Sequence, residues 1–405
     1  MTFLNQQQEP VRVFESPLDR ARDPWKVFQP MASPARLRVT DVRLVSLKTA
    51  REVGVLEPAW DPGGRMRFRV GGGKYLEVHT DQGLVGIGPA IDAKLLPAVK
   101  NELVSKDPFE IEEHAARLRY YASRGCASID IALWDLIGKA CGQPLYKLWG
   151  GGKEKVPVYA STIQLSTPES TPRLAADLME QGWKALKLRL HHATFEEDIR
   201  TVEAVRAAVG DRMDIMADAN QAQSAGTWQP GVRWDLPRAV QTACALQRLR
   251  CDWLEEPLPR YAFDLLAELN RLVELPIAGG ENNCGLHEFQ WMLERSVYDI
   301  LQPDSLVTGG ITEMRKIGHL AEAFGKRVVP HHGGGGIGTI AHLHLVASWP
   351  HAPYLELLHE PPIGSYQHRF AIFQDPPSVD TAGCIQLPAG PGLGVEINRE
   401  LVATS

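Results

Sequence analysis

Ionisable side chains recur at the ends of short apolar runs in the second half of this sequence. A buried carboxylate without a partner is costly, so packing alone does not explain a charged group after nearly every run. Each group follows the last by about one strand–helix unit, which predicts that they meet in one site with metal-binding or acid–base chemistry. The groups are Asp218 in DIMADAN, Glu255 and Glu256 in DWLEEP, Glu281 in AGGEN, Asp304 in ILQPD, His331 and His332 in VVPHH, and Glu356 in YLEL.

Three of the acidic groups, Asp218, Glu255 and Glu281, form a set of oxygen ligands without cysteine or histidine. Any one of these carboxylates taken alone could equally cap a helix or pair with an arginine. As a set on neighbouring strands they suit octahedral Mg²⁺, or Mn²⁺, with substrate oxygens and water completing the coordination. Zinc is disfavoured because it prefers sulfur and nitrogen ligands.

The segment KRVVPHHGGGGIGT, residues 326–339, places two adjacent histidines before a block of glycines. The histidines are candidate metal ligands or a catalytic base, and the glycines suggest a phosphate-binding loop. Gly333, Gly335 and Gly338 satisfy the pattern G-x-G-x-x-G. That fingerprint belongs to the first βα turn of a nucleotide-binding unit, however, and the ending G-K-[ST] is absent, so the match is weak.

The segment ALKLRLHH places three cationic or titratable residues on one face of a predicted strand. Period-2 alternation directs Lys187, Arg189 and His191 to the same side, and the intervening leucines to the other. Lysine can act as a base when burial and neighbouring charge lower its pKa, whereas the guanidinium of arginine stays protonated. This strand therefore offers one potential base and one permanent cation.

The composition restricts the partners of the chain. The 405 residues carry a net charge of −6, which provides no basic surface for nucleic acid or for membranes. The six cysteines form no C-x-x-C pair, and the sequence has neither a signal-peptide core nor an apolar run of about 18 residues. We expect a cytoplasmic protein that binds a small-molecule carboxylate, neither nucleic acid nor a membrane, and that assembles as a homo-oligomer.

The order of predicted elements indicates two domains. Residues 36–152 read as strands followed by helices, and residues 153–360 contain eight short apolar strands separated by helical stretches, which predicts a (β/α)₈ barrel. One stretch, residues 194–210, carries helix signals at both ends, a capping box and a glycine. Residues 1–35 are an extension expected to pack on a surface or a partner subunit, and residues 361–405 are expected to return to the N-terminal domain.

Several motifs together resemble the enolase superfamily, mandelate racemase subgroup, and particularly its acid-sugar dehydratases. They are IDIALWDLIGKACGQPLYKLWGG, DANQ, EEP, GGEN, QPD before GGIT, and PGLG. The resemblance covers the chain from about residue 36 to residue 402. It implies an α+β capping domain over the barrel, Mg²⁺ held by Asp218, Glu255 and Glu281, and abstraction of the proton α to a carboxylate.

The resemblance also implies roles for individual residues. His331 matches the base position, and Asp304 would orient its ring and favour its protonated form. Glu356 matches a residue that donates a proton to the enolate oxygen if it is kept protonated, and Lys187 is expected against the substrate carboxylate. Strand alternation predicts that the neighbouring His332 faces away from His331, as a structural or loop residue.

The second barrel strand departs from the subgroup, which usually carries Lys-x-Lys where this chain has Lys187 and Arg189. Racemisation needs a base on each face of the α-carbon, whereas dehydration needs one base and an acid for the β-hydroxyl. The acid is either the protonated His331 or His191, although a rim position or a salt bridge to the capping domain fits His191 and Arg189 equally well. Arg189 is also suited to holding the reacting carboxylate or a distal one.

These inferences favour a Mg²⁺-dependent lyase that dehydrates a sugar acid, an aldonate or an aldarate, to a 2-keto-3-deoxy acid through an enediolate. A racemase or epimerase and a non-catalytic sugar-acid binding protein are the alternatives. Specificity is expected from residues 51–73 of the capping domain and from the insert at residues 221–235.

Overall fold

The structure is a computed structural model of the chain, and it describes residues 36–122, 125–224 and 232–403. The predicted extension at residues 1–35 lies outside the described residues. Residues 225–231, within the insert at 221–235, also lie outside them.

The capping elements form an antiparallel sheet, a separate hairpin and a group of helices. Strands β1, β4 and β5 pair in the order β1-β4-β5, and β2 pairs with β3 in the capping hairpin. The elements are β1 (Val39–Ser46), β2 (Thr49–Leu56), β3 (Met66–Gly71), β4 (Lys74–Thr80), β5 (Val85–Pro89), α1 (Leu96–Leu103), α2 (Ile111–Ala122), α3 (Cys126–Ala140) and α4 (Leu145–Leu148).

Eight parallel strands then alternate with helices, which confirms the predicted barrel. The strands are β6 (Lys155–Ser161), β7 (Ala185–Arg189), β8 (Asp214–Asp218), β9 (Leu254–Glu255), β10 (Ile277–Gly279), β11 (Ile300–Leu301), β12 (Arg327–Val328) and β13 (Leu355–Leu358). The helices are α5 (Thr171–Glu180), α6 (Phe195–Val209), α7 (Leu236–Arg248), α8 (Phe263–Leu272), α9 (Gly285–Glu294), α10 (Ser305–Thr308), α11 (Ile311–Ala323) and α12 (Ile337–Ser348). The strand order runs from β12 back to β6 and then to β13, and within the described ranges β12 and β13 form no ladder with each other.

The interior of the barrel is closed by one layer of buried side chains. They lie in successive strands or directly beside a strand end and are Tyr159, Ala185, Met216, Trp253, Ala278, Ile300 and Val329. Because side chains alternate along a strand, the residue two positions further on points to the same interior at a higher level. Asp218 follows Met216 by two residues, and Glu255 follows Trp253 in the same way. The charged side chains therefore form the next layer above this apolar layer.

Helix α6 shows how local sequence sets the outer ring. The side chain of Thr194 accepts a hydrogen bond from the backbone of Glu197, whose own side chain returns to the backbone of Thr194, and the helix ends at Gly210 with a φ of 61°. Val202 and Val205 are fully buried against the core. The predicted capping box and glycine stop are therefore confirmed.

The helix α3 fixes the capping elements to the barrel. Oδ2 of Asp130 accepts the backbone N–H of Thr312 at 2.9 Å, and Oδ1 accepts its hydroxyl at 2.5 Å. Trp134 Nε1 donates to the same hydroxyl at 2.9 Å. A Cβ on Gly310 would lie 2.4 Å from the Asp130 carboxylate, so glycine is required before α11 for this close approach.

The last segment contacts both parts of the molecule. It contains α13 (Tyr366–Phe370) and β14 (Cys384–Gln386), which pairs antiparallel with β6. Asp135 of α3 accepts the backbone N–H of Leu393 at 2.8 Å, and Ala403 N donates to Ser46 O of β1 at 2.9 Å. The C-terminal segment thus joins the barrel to the capping elements.

A membrane-spanning helix would need a long apolar stretch, and none of the helices within the described residues has one.

Candidate functional site

The predicted site residues gather at one end of the barrel. Arg189, Asp218 and Glu255 are register partners at the ends of β7, β8 and β9. Glu281, Asp304 and His331 follow β10, β11 and β12 within three residues of each strand end, and Lys187 and Glu356 lie within β7 and β13. The structure brings all of these side chains to the same mouth because parallel strands of a barrel end at one face.

Lys187 lies at the centre of this mouth and is fully buried. Its Nζ lies 2.6 Å from Glu255 Oε1, 2.9 Å from Glu356 Oε1 and 3.5 Å from Asp218 Oδ2. Burial alone would lower the pKa of Lys187, but the carboxylates of Glu255 and Glu356 outweigh it and raise this pKa above its ordinary value. Lys187 therefore carries a positive charge among these carboxylates.

The side chain of Arg189 is hydrogen-bonded to residues of the neighbouring barrel strands and is covered by a residue of the capping domain. Its Nη1 donates to Asp218, its Nη2 donates to Ser161 Oγ at 2.9 Å, and its Nε donates to Thr162 O at 2.8 Å. The ring of Trp60, from the turn of the capping hairpin, lies 4.8 Å from the guanidinium carbon. Of the alternatives left open for Arg189, a rim position, a salt bridge to the capping domain or a direct role, the contact with the capping domain is this cation–π contact.

The three carboxylates Asp218, Glu255 and Glu281 fit a hard divalent cation by their chemistry. All are buried, and burial together with the charge of Glu255 raises the pKa of Asp218 to about 7. Such crowding of like charges is what a bound cation relieves. Three carboxylates would also leave coordination positions for water and substrate oxygens.

The side chains that lie close enough together to share one metal ion belong to a different group. Among the residues that the structure describes, the side chains whose potential ligand atoms all lie within 4.8 Å of one another are Asp304, His331 and His332. The oxygens of Asp304 already accept hydrogen bonds, from His331 Nδ1 at 2.7 Å, from Gly333 N at 3.1 Å and from Leu306 N at 2.8 Å. We therefore interpret this group as a hydrogen-bonded dyad with a neighbouring ring, not as a ligand set.

His331 and Asp304 form the pair that the sequence predicts. Because Nδ1 is bonded to Asp304, Nε2 is the nitrogen that faces the mouth, 3.3 Å from Glu281 Oε2. Burial lowers the pKa of His331, but the charge of Glu281 and the hydrogen bond to Asp304 outweigh it and raise the pKa to about 10. Burial acts oppositely on Asp304, yet the bond from His331 lowers its pKa to about 2.

The prediction that His332 faces away from His331 is wrong. The two ring centroids are 4.0 Å apart, with the planes tilted by 38°. Strand β12 ends at Val328, so both histidines lie beyond the strand and its alternation no longer applies. His332 Nδ1 accepts the backbone N–H of Gly334 at 2.9 Å, which turns the chain back and brings the second ring alongside the first.

Glu356 is expected to donate a proton only if its side chain is kept protonated, and the structure does not meet this condition. Burial would raise its pKa, but Lys187 and His331 lower it below the ordinary range, so the side chain is a carboxylate in this structure. It lies fully buried on β13, with Oε1 2.9 Å from Lys187 Nζ.

His191 contacts the capping hairpin instead of a charged partner. It is buried, a backbone hydrogen bond links it to Ala59, and its Nε2 has no hydrogen-bond partner among the described residues. Burial lowers the pKa of His191, so its ring is neutral near pH 7. This disfavours His191 as the acid that protonates a leaving group.

Sequence reasoning missed two residues that shape the site. His342 of α12 donates from Nδ1 to the backbone oxygen of His331 at 2.6 Å, and its Nε2 accepts the backbone N–H of Ser305 at 3.0 Å. Trp60 covers Arg189. Neither carries a sequence signal beyond its type: His342 lies in an apolar helix, and Trp60 lies in the segment already assigned to specificity.

Comparisons with known proteins agree with this architecture. Residues 171–401 match the family described as Enolase C-terminal domain-like, and residues 74–150 match the family described as Mandelate racemase / muconate lactonizing enzyme, N-terminal domain. An arabinonate dehydratase of Saccharolobus solfataricus is 31% identical over 79% of this chain and 87% of its own. A D-galactarolactone cycloisomerase of Agrobacterium fabrum is 32% identical over 83% of this chain and 91% of its own.

A solved structure extends the likeness to three dimensions. The crystal structure of a D-glucarate dehydratase from Agrobacterium tumefaciens, complexed with magnesium, superimposes with a TM-score of 0.76 at 26% identity. The match covers 90% of this chain and 97% of that one. With both its capping and barrel parts matched, this chain belongs to the enolase superfamily, in its mandelate racemase subgroup.

Proposed function

We propose that this protein is a lyase that dehydrates a sugar acid, an aldonate or an aldarate, to a 2-keto-3-deoxy acid. The single observation that carries the proposal is the asymmetry of the mouth. A histidine oriented by a carboxylate, His331, lies beyond the end of β12, whereas β7 carries Lys187, which is bonded to Glu255 and Glu356, and Arg189, whose guanidinium stays protonated. The likeness to sugar-acid dehydratases supports the same reaction.

The residues that would hold a divalent cation are Asp218, Glu255 and Glu281, and the magnesium of the glucarate dehydratase structure supports Mg²⁺ as that cation. When bound, Mg²⁺ would polarise the substrate carboxylate and offset the charge of Glu281, the charge that most raises the pKa of His331.

The chain's own side chains divide the remaining work. Nε2 of His331 takes the α-proton, since Nδ1 is bonded to Asp304. Lys187 remains charged and offsets the negative charge that grows on the enediolate. The β-hydroxyl then leaves as water with the proton that His331 returns, and the enol product converts to the 2-keto acid.

The alternatives are weakened by the same geometry. A racemase or epimerase of this kind needs a base on the second face, where Arg189 stays protonated and Lys187 is bonded to Glu255 and Glu356. A non-catalytic binding protein has no need of an oriented histidine, and the bond between His331 Nδ1 and Asp304 is intact.

The decisive experiment incubates the full chain and Mg²⁺ with a panel of aldonates and aldarates, and with D-galactarolactone, in D₂O. We expect a 2-keto-3-deoxy acid from at least one sugar acid, with loss of its α-proton followed by NMR. His331→Asn is the matched control and should give neither. Exchange without a keto acid would indicate an epimerase, lactone turnover a cycloisomerase, and the absence of exchange with every compound a binding protein.

A further inference from the structure

A cationic cavity of about 340 Å³ lies between the capping hairpin and the glycine segment at residues 333–336. We call it the arginine cavity and define it by Arg67, Arg69, Lys74 and Arg369, all of which line it. Its lining contains no acidic side chain within the described part of the chain. It lies outside the cluster of carboxylates and cations at the barrel mouth, none of which lines it.

The charge of the arginine cavity is not balanced by the protein. The chain as a whole is acidic, with a net charge of −6. Even so, none of the four cations of the cavity forms an ion pair with a carboxylate among the residues that the structure describes. A cluster of like charges with no internal counter-charge attracts anions from solution.

Arg369 is the least solvated of these cations. Its Nη1 donates to Gly334 O at 2.8 Å, and its guanidinium carbon lies 5.8 Å from the centre of the Phe68 ring. Burial lowers the pKa of Arg369, and no acidic group offsets this effect. A half-buried cation without an ion-pair partner is less stable than a paired one, which is expected of a group that meets its anion only when a ligand binds.

Two runs of glycine allow the arginines to lie close to the backbone. A Cβ on Gly335 would come 2.4 Å from Cδ of Arg369, and a Cβ on Gly72 would come 3.0 Å from Nε of Arg69. Both glycines have left-handed φ values, +86° and +77°, which other residues rarely adopt. Within the glycine block that resembles a phosphate loop in sequence, Gly335 thus gives room to the side chain of Arg369.

The beginning of α12 adds to the positive potential. Gly336 and Ile337, the N-cap and first residue of this 12-residue helix, line the cavity, and no side chain caps that end. The positive end of a helix dipole favours a nearby anion.

We propose that the arginine cavity binds an oxyanion, a carboxylate or phosphate group, at a place separate from the metal-binding carboxylates. Arginine presents forked N–H donors that match such groups in shape and charge. Arg369 and His332 together line a second, small cavity, and the centre of the His332 ring lies 4.0 Å from that of His331. The anion can therefore come from either of two sources, a distal acidic group of the substrate or a free ion near the base.

Calorimetric titration of the full chain with inorganic phosphate, at fixed ionic strength, tests the site without any turnover. We expect the double variant Arg67→Gln/Arg69→Gln to weaken phosphate binding by about tenfold or more, because each lost charged hydrogen bond contributes on that scale. Arg369→Met should act likewise, and Arg369→Lys should restore part of the affinity. Arg65→Gln, an exposed arginine of the same hairpin that does not line the cavity, is the matched control and should bind as the parent does.

Two results would overturn the proposal. One is a phosphate affinity that is unchanged in the Arg67/Arg69 and Arg369 variants. If removal of metal by a chelator also abolished that binding, the phosphate would lie on the metal and not in the arginine cavity. The other is no measurable binding of phosphate to the parent protein. Arg67 and Arg69 are exposed, so replacing them does not disturb the core. The double variant therefore still tests the site if the Arg369 variant fails to fold.

Inhibition kinetics then separate the two sources, and this step alone rests on the proposed function. If the substrate supplies the anion, phosphate competes with an aldarate, and Arg369→Met lowers kcat/KM for aldarates more than for the matching aldonates. If a free ion fills the cavity, phosphate binds without competing and the two classes of substrate are affected equally. Each outcome supports the oxyanion site, and loss of all turnover would leave the calorimetric result unaffected.

Discussion

The guanidinium carbon of Arg189 lies 4.8 Å from the centre of the Trp60 ring, so a side chain of the capping hairpin covers a cation that is bound to Asp218. Arg189 thereby connects the carboxylates that would hold Mg²⁺ with the capping hairpin, which we expect to contribute to specificity. A lysine at this position would lack the planar fork that contacts Ser161, Thr162 and Asp218 together.

Replacing Arg189 by lysine should therefore weaken Mg²⁺ binding more than it changes the choice of substrate. We expect about a tenfold loss of Mg²⁺ affinity, on the scale of one charged hydrogen bond, measured by calorimetry. The ratio of kcat/KM for an aldarate and its aldonate should stay within about threefold. Erosion of a diacid preference would show instead that Arg189 binds a distal carboxylate, and racemisation of the α-carbon would show that a second base had been restored.

His331→Asn should abolish product formation and α-proton exchange together, because an amide cannot take the proton. A positioned base contributes about 100- to 10,000-fold, so at least that loss is expected in kcat. His332→Asn should be milder, since its ring supports His331 without holding the bond to Asp304. Equal losses in both variants, with folding and Mg²⁺ binding preserved, would contradict the assignment of His331 as the base.

Some of this site follows from the sequence and some depends on tertiary contacts. Asp218 and Glu255 end strands whose preceding inward residues, Met216 and Trp253, are apolar, so strand periodicity alone predicts their direction. His332 lies beyond the end of its strand, where periodicity has no force. The ionisation of Glu356 depends on Lys187, which is distant in sequence and lies two strands away, so no local pattern contains it.

Glu281→Gln should remove both Mg²⁺ binding and activity. The amide keeps the size of the side chain but loses the charge that a hard cation needs. We expect Mg²⁺ to raise the Tm of the parent protein and to leave that of the variant unchanged in differential scanning calorimetry. Full activity of EDTA-treated, metal-free protein would contradict the assignment of a metal site.

His342 is expected to act as a positioning residue, because it links the backbone of His331 to the N–H of Ser305 that follows Asp304. His342→Ala should lower kcat about tenfold or more while KM changes little, since the base is misplaced and the substrate contacts remain. His342→Gln can still donate and accept and should recover part of the rate. A loss of stability with an unchanged kcat would reduce His342 to a packing residue.

The contact between Asp130 and Thr312 predicts how the joint between capping helix and barrel depends on pH. Burial raises the pKa of Asp130 to about 7, against 3.8 for the ordinary group, so the folded protein binds this proton more tightly than the unfolded chain does. Stability from this group is therefore greatest below about pH 4 and falls as the pH rises to about 7.

Thr312→Val removes a hydroxyl that donates to the carboxylate and should lower the free energy of unfolding by about 1 to 3 kcal/mol at pH 7, measured by urea denaturation. The loss should be smaller at pH 4, where the group is protonated in the folded state, and Asp130→Asn should flatten the pH dependence between these limits. An equal effect of Thr312→Val at both pH values would show that Asp130 is not the titrating group at this joint.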